Sequence, residues 1–206
     1  MLAAAGVPGA RVVRDGVVPR PPGPSFAQAF GVGAHPPPRP WLLAAGALVP
    51  HKGHDVLLEA IAGMPGTLVL AGEGPLRGTL LRRAERPDLR GRVVLAGALC
   101  GLGTLLREVD ALVHPSREEG FGQVVVEALL AGTRVVATAA GGLPEAVGAS
   151  VALARPGDAA SLRAVLTAAL ASPVPDLRAH AARHDVATMV ADTRAVYADV
   201  LSRARS

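Results

Sequence analysis

Lysine is almost missing from this chain: of its 21 basic residues only Lys52 is a lysine, and all the others are arginine. Where positive charge is otherwise carried by planar guanidinium groups, a single lysine marks a position suited to a compact ammonium. Cysteine is equally scarce. Cys100 stands alone, which excludes an intramolecular disulfide and fits a reducing compartment. Aromatic residues make up only 2% of the sequence, so the core must be built from Ala, Val and Leu, and the stacking platforms of a single-strand binder are lacking. The formal charge is +4 and the pI about 10.5, yet the arginines are scattered without a basic block, which reads as solvated surface rather than a nucleic-acid footprint. No run approaches the roughly 18 apolar residues of a membrane helix, and the first residues lack a basic start and a long apolar region. The expectation is a soluble, cytoplasmic chain without a transmembrane segment.

What is present is enough apolar sequence, 50% of 206 residues, for one ordinary domain and a tail. Residues 10–18 (A-R-V-V-R-D-G-V-V) predict a short strand with a D-G turn. Eight prolines between Pro19 and Pro40 exclude regular structure there, apart from one short helix at 26–30. Residues 1–40 are therefore read as a residual strand and a proline-rich linker. Beyond them, strands at 41–45, 67–71, 93–97, 111–114 and 134–138 alternate with helices at 54–62, 76–86 and 102–109, and with an apolar helix ending before Gly132. That alternation predicts an α/β, doubly wound parallel sheet of the Rossmann-like kind over 41–185, with its ligand at the C-terminal ends of the strands. A helix over 159–171, a break at S-P-V-P and amphipathic helical sequence over 176–203 follow, with residues 186–206 read as a C-terminal helix. Met189, Val190, Val196, Tyr197 and Val200 are expected to be packing residues.

The informative stretch is P-S-R-E-E-G-F-G-Q-V-V-V-E-A-L-L-A-G, from Pro115 to Gly132. It reads as a glycine turn between a strand and a helix. Amides at Phe121, Gly122, Gln123 and Val124 would lie at the positive end of the helix dipole, with Gly120 and Gly122 admitting close approach, an arrangement suited to phosphate. Glu119 and Glu127 flank the turn eight residues apart. Carboxylates repel phosphate, so their natural partners are donors such as sugar hydroxyls. Glu119 read simply as a favourable charge at a helix start, or Glu127 on a solvated stripe, is the plainer account; but Glu127 is the only polar residue from Val124 to Ala131, and a carboxylate there needs partners. Lys52, just before the helix that opens at His54, could meet a diphosphate held by the glycine turn.

E-E-G-F-G-Q-V-V-V-E-A-L-L-A-G resembles the E-x7-E signature of the retaining, GT-B-fold glycosyltransferases of family 4. The likeness extends through G-A-L-V-P-H-K-G (46–53), A-G-E-G-P-L (71–76), V-V-L-A-G (93–97), V-H-P-S-R (113–117), R-V-V-A-T-A-A-G-G-L-P-E-A-V (134–147) and A-R-P-G-D (154–158), in the family's order. It covers only the C-terminal, donor-binding half of such an enzyme. The resemblance implies a nucleotide-diphosphate sugar as donor substrate and no separate cofactor or metal. It places Glu127 on the ribose diol and Glu119, the catalytic candidate, on the donor sugar near the reacting carbon. It also puts Gly46, Lys52, Glu73 and the loop of Gly97 and Ala98 around the nucleotide. The family's usual arginine after the glycine matching Gly46 is here Ala47, a position for which His51 or another arginine would have to compensate. With the acceptor domain missing, the isolated chain is expected to bind donor but transfer poorly, its partner being a separately encoded acceptor-domain protein, in a complex that could lie at the inner membrane face.

Two other classes fit the same features less well. One is a non-catalytic nucleotide-sugar-binding module or remnant. The other is a nicotinamide-dependent oxidoreductase, suggested by Gly72, Gly74 and Gly78; their G-x-G-x-x-x-G spacing departs from the dinucleotide fingerprint, and no acidic residue ends the strand at 93–97.

Overall fold

The computed structural model describes residues 11–31, 36–149 and 151–203. Its centre is a six-stranded parallel sheet built from β1 (Trp41–Ala45), β2 (Thr67–Ala71), β3 (Val93–Gly97), β4 (Ala111–His114), β5 (Val135–Thr138) and β6 (Leu153–Ala154), in the order β3-β2-β1-β4-β5-β6. β1 runs in register from Trp41 opposite Thr67 to Ala45 opposite Ala71, and Leu42 and Leu43 pair on its other side with Ala111 and Leu112. The short apolar strands are buried on both faces, as a sheet covered by helices on each side requires. Alternation divides their side chains. Leu43, Ala45, Val69 and Leu112 join one core layer; Leu42, Ala44, Leu68, Leu70 and Val113 join the other.

The first layer is covered by α1 (Phe26–Phe30), α4 (Gly103–Glu108), α5 (Gln123–Leu130), α6 (Leu143–Val147) and α8 (Arg178–Ala181). The second is covered by α2 (His54–Ala60), α3 (Arg77–Ala84) and α7 (Ala159–Leu170). Strand order reverses between β1 and β4, the point at which an open parallel sheet leaves a crevice beyond its strand ends.

The proline-rich linker is fastened down. Ser25 caps α1 in a capping box with Gln28. Phe26 is fully buried, its ring stacked on Trp41 at 4.7 Å, and its backbone N–H donates to Glu108 at 2.7 Å. Two expectations need correction. Residues 11–18 form no strand; Val17 makes only an isolated bridge with Asp185, its N–H donating to the His184 carbonyl at 2.7 Å. Residue 10 lies outside the described residues. Second, α9 (Val186–Arg203) buries no residue at all: Val190, Tyr197, Val200 and Leu201 are exposed, Tyr197 by 66%. Only a narrow stripe including Met189 and Val196 is half-buried, with the Met189 sulfur accepting from the Gly16 N–H at 3.1 Å. Amphipathic spacing identifies a face but not its cover.

Glycines let the loops at the sheet's C-terminal edge interlock. Gly53, with φ at +67°, closes the turn Pro50–Lys52, and a Cβ there would lie 2.1 Å from the Pro115 carbonyl oxygen. Gly132 shares the left-handed conformation, φ +75°, but faces open space. Gly132→Ala is therefore expected to cost about 1–2 kcal/mol, the conformational penalty alone, and Gly53→Ala substantially more, because backbone must also shift. Chemical denaturation of the two variants checks the difference; equal losses would mean that the loop contact at Pro115 yields easily.

Candidate functional site

The crevice where strand order reverses is a cleft of about 510 Å³. The loop after β1 contributes Gly46, Ala47 and Lys52, and the loop after β3 contributes Ala98 and Leu99. From β4 onward come His114, Glu119, Phe121, Gly122, Gln123 and Val124. The linker reaches in with Asp15 and Arg20.

At its centre the Lys52 ammonium lies 2.6 Å from Glu119 Oε2, both side chains largely buried. His114 Nε2 approaches the same oxygen at 2.7 Å, and the Ser116 hydroxyl donates to it at 3.3 Å. The His114 and Lys52 contacts, His114 first, hold the Glu119 carboxyl down at about 2, against an ordinary value of 4.5 and against the opposing effect of its burial. It is an anion at any physiological pH. Ser116 is positioned in turn by its own carbonyl, which accepts from the Thr138 hydroxyl at 2.5 Å. Arg117 clamps the loops from outside, with two 2.8 Å bonds to the Asp55 carboxylate and one of 2.8 Å to the Pro50 carbonyl.

In the same cleft, α5 begins at Gln123 after Gly122, whose φ is +85°. It has no side-chain cap and no acidic residue in its first turn. The amides of Gln123 and Val124 precede the helix's first internal hydrogen bond, so the positive end of the dipole lies at the cleft, beside the Glu119 side chain, whose Cγ would be 3.7 Å from a Cβ at Gly122. Glu127, one turn further on, is only 5% exposed and is not on the cleft wall. Arg20 pairs with it, Nε to Oε1 at 3.0 Å, while Oε2 is buried without a partner among the described residues.

Gly46, Lys52, Ala98, Glu119, Phe121, Gly122, Gln123 and Val124 thus meet in one cleft. Gly120 lines a recess on the far side of the Lys52–Glu119 pair, with His51, Arg117, Glu118 and Gly141. Glu73 sits at the outer edge, its carboxylate 3.6 Å from Arg77 and close over Gly97. Of the groups considered as compensation for Ala47, His51 lies off the cleft wall and an arginine, Arg20, is on it. Sequence reasoning passed over Arg20, hidden in the linker, and His114, whose only signal is a polar residue closing an apolar strand. Among the described residues, no group of His, Cys, Asp and Glu side chains is placed to hold a metal ion, and no helix is long and apolar enough to cross a membrane.

This sheet order with its cleft defines a Rossmann-like domain of the kind that forms the C-terminal half of GT-B glycosyltransferases. The sequence profile described as glycosyl transferases group 1 matches residues 26–184, and the chain belongs to that family. The D-inositol 3-phosphate glycosyltransferase of Mycobacterium tuberculosis is 38% identical over 110 residues, which are 50% of this chain and 23% of that protein. Anabaena HepE, solved with UDP-glucose, superposes with a TM-score of 0.73 at 28% identity, over 84% of this chain and 51% of its own. Sucrose-phosphate synthase from Thermosynechococcus elongatus gives 0.71 at 25% identity, over 89% and 52%. The chain spans about half the length of these solved relatives, and its match to the curated relative spans under a quarter of that protein.

His54, which opens α2, ties the β1 loop to the helix: its Nε2 donates to the Ala47 carbonyl at 3.2 Å, leaving Nδ1 buried without a partner among the described residues. Burial pushes its pKa down from 6.5 to about 4. Between those values the unfolded chain binds a proton that the folded chain refuses, so stability falls as pH drops from 6.5 toward 4, by roughly 3 kcal/mol at most from this group. Denaturation across that window should show the slope, and His54→Asn should flatten it; an unchanged slope would assign the acid sensitivity elsewhere.

Proposed function

We propose that the chain is the donor-binding half of a retaining glycosyltransferase, holding a nucleotide-diphosphate sugar in the cleft between the ends of β1 and β4. One observation carries this reading: the chain's single lysine and the N-terminus of α5, which has no side-chain cap, line one cleft at the point where strand order reverses. In the proposed complex the diphosphate lies between the Lys52 ammonium and the amides of Gln123 and Val124. As the glycosidic bond breaks, negative charge grows on the leaving diphosphate. A fixed cation and a helix dipole aimed there stabilise that charge more in the transition state than in the ground state.

Glu119 then takes the donor sugar's hydroxyls near the reacting carbon, its Oε2 already anchored by His114 and Ser116. Glu127 takes the ribose diol, and the backbone around Gly97 and Ala98 meets the base. UDP and UDP-glucose in the Anabaena relative support a nucleotide-sugar ligand. The retaining course follows the family resemblance of the E-x7-E glutamates.

The binding reading is tested by thermal shift and calorimetry with UDP, GDP and ADP, free and sugar-linked. A ligand at 100 times its dissociation constant should add about 2.7 kcal/mol of stability, and flat melting curves throughout would sink the proposal. Lys52→Ala should weaken diphosphate more than monophosphate, by a margin that shrinks with salt. Glu119→Ala should remove the advantage of the sugar nucleotide over the free diphosphate.

Transfer itself needs an acceptor hydroxyl held against the anomeric carbon, and such positioning can be worth roughly 7–11 kcal/mol of the barrier. The chain spans about half the length of its solved relatives; an acceptor-binding half, on the same or another polypeptide, would complete the enzyme, and the second reading is a binding module without turnover. Donor turnover with a panel of acceptors separates them. The chain alone is expected to be inactive, and activity on adding an acceptor-domain protein would establish the half-enzyme. Efficient transfer by these 206 residues alone would overturn both.

A further inference from the structure

Glu127 is stored behind another residue. It is the one acidic group of α5, its side chain only 4% exposed, while Arg20, on the cleft wall, has a side chain 46% exposed. Their contact is a single end-on bond, Arg20 Nε to Glu127 Oε1 at 3.0 Å, rather than the two-pronged pairing that would satisfy both oxygens. Glu127 Oε2 remains buried and, among the described residues, unbonded. A buried carboxylate with half its accepting capacity unused calls for a donor that the protein does not supply.

Arg20 is also held in a way that leaves its side chain free to turn. The linker backbone beside it is pinned: the Gly103 N–H donates to the Pro21 carbonyl at 3.0 Å, and the Gly23 N–H to the Thr104 hydroxyl at 3.3 Å. Among the described residues the guanidinium makes no bond except the one to Glu127. The pair is one bond between a half-exposed guanidinium and a buried carboxylate, open to salt and to competing donors from the Arg20 side.

We infer that Arg20 is a displaceable cover over Glu127, replaced when the sugar hydroxyls of a bound nucleotide take the carboxylate; this rests on the donor-cleft reading above. Phosphate cannot replace it, because two anions would meet. Neutral hydroxyl donors can, and a vicinal diol offers two, enough for Oε1 and the unused Oε2. The released guanidinium stays within the cleft, whose remaining ligand charge is negative. Arg20 is thus a positioning residue that sets how strongly the ribose is felt, through competition for one carboxylate.

The test uses the phosphate-free nucleoside, uridine, guanosine or adenosine, whose diphosphate binds in the screen described above, so that no phosphate can reward Arg20 for staying. Arg20→Met should bind that nucleoside about two- to fivefold more tightly than the native chain, the scale of a lost partly exposed ion pair. The 2′,3′-dideoxynucleoside should gain nothing. Raising salt should tighten nucleoside binding to the native chain and leave the variant unchanged. If loss of the cation beside Glu127 prevents Arg20→Met from folding, Arg20→Lys decides: it keeps a positive charge but loses the Nε contact, and should gain in the same direction. Unchanged or weaker nucleoside binding with diphosphate binding intact overturns the cover and leaves the donor-cleft reading standing. Failure of every nucleotide to bind removes both.

Discussion

The structure turns on one oxygen. Glu119 Oε2 receives Lys52, His114 and Ser116, which come from the loop after β1, the end of β4 and the loop beyond it. β1 and β4 are neighbours only because strand order reverses between them. The carboxylate therefore ties together two chain segments 67 residues apart at the place where the sheet itself opens a crevice. Arg117 on Asp55 and the tight approach of Gly53 to Pro115 hold the same two loops from the outside. Lys52 and Glu119 satisfy each other in the cleft, Arg20 is paired with Glu127, and Asp15 and the helix terminus also lie on its wall.

Much of the fold is legible in the sequence. The strands at 41–45, 67–71, 93–97 and 111–114 are short apolar runs bounded by glycine, proline or charge, and length and boundaries separate them from helices without ambiguity. The short helix at Phe26–Phe30 is legible too, because Ser25 and Gln28 write its start signal into a proline-rich stretch. The strand expected at 10–18 fails for the opposite reason. Its valine pairs are strand-like, but strands need a neighbour, and the segment lies against His184, Asp185 and the start of α9, leaving one bridge at Val17. In α9 the apolar spacing says which residues share a face, while nothing local says whether that face is covered.

The site shows the same division. Glu119 and the amides of α5 could be placed from spacing because turn and helix fix their relative positions within a few residues, and Lys52 is legible as the lone lysine just before the helix at His54. Arg20 could not, since its partner Glu127 is 107 residues away and the linker between carries no periodic signal. His114 lies only five residues before Glu119, but their meeting depends on the loop between them folding back, which no spacing rule announces.

The stack on Trp41 has a practical corollary. This is the chain's only indole; it packs against the core layer on the α1 side of the sheet, and the linker supplies its stacking, cation and hydrogen-bond partners: Phe26 at 4.7 Å, the Arg39 guanidinium at 4.0 Å from the ring centre, and the Pro37 carbonyl, which accepts from Nε1 at 2.8 Å. Trp41 opens β1, at the end of the sheet away from the cleft. Its emission is therefore a reporter of the linker's grip, quenched and shifted by the stacked neighbours while they hold and changed when they let go. Occupancy of the cleft is spectrally silent at that ring unless it loosens or tightens the clasp, so intrinsic fluorescence can follow the segment that carries Arg20 independently of the ligand.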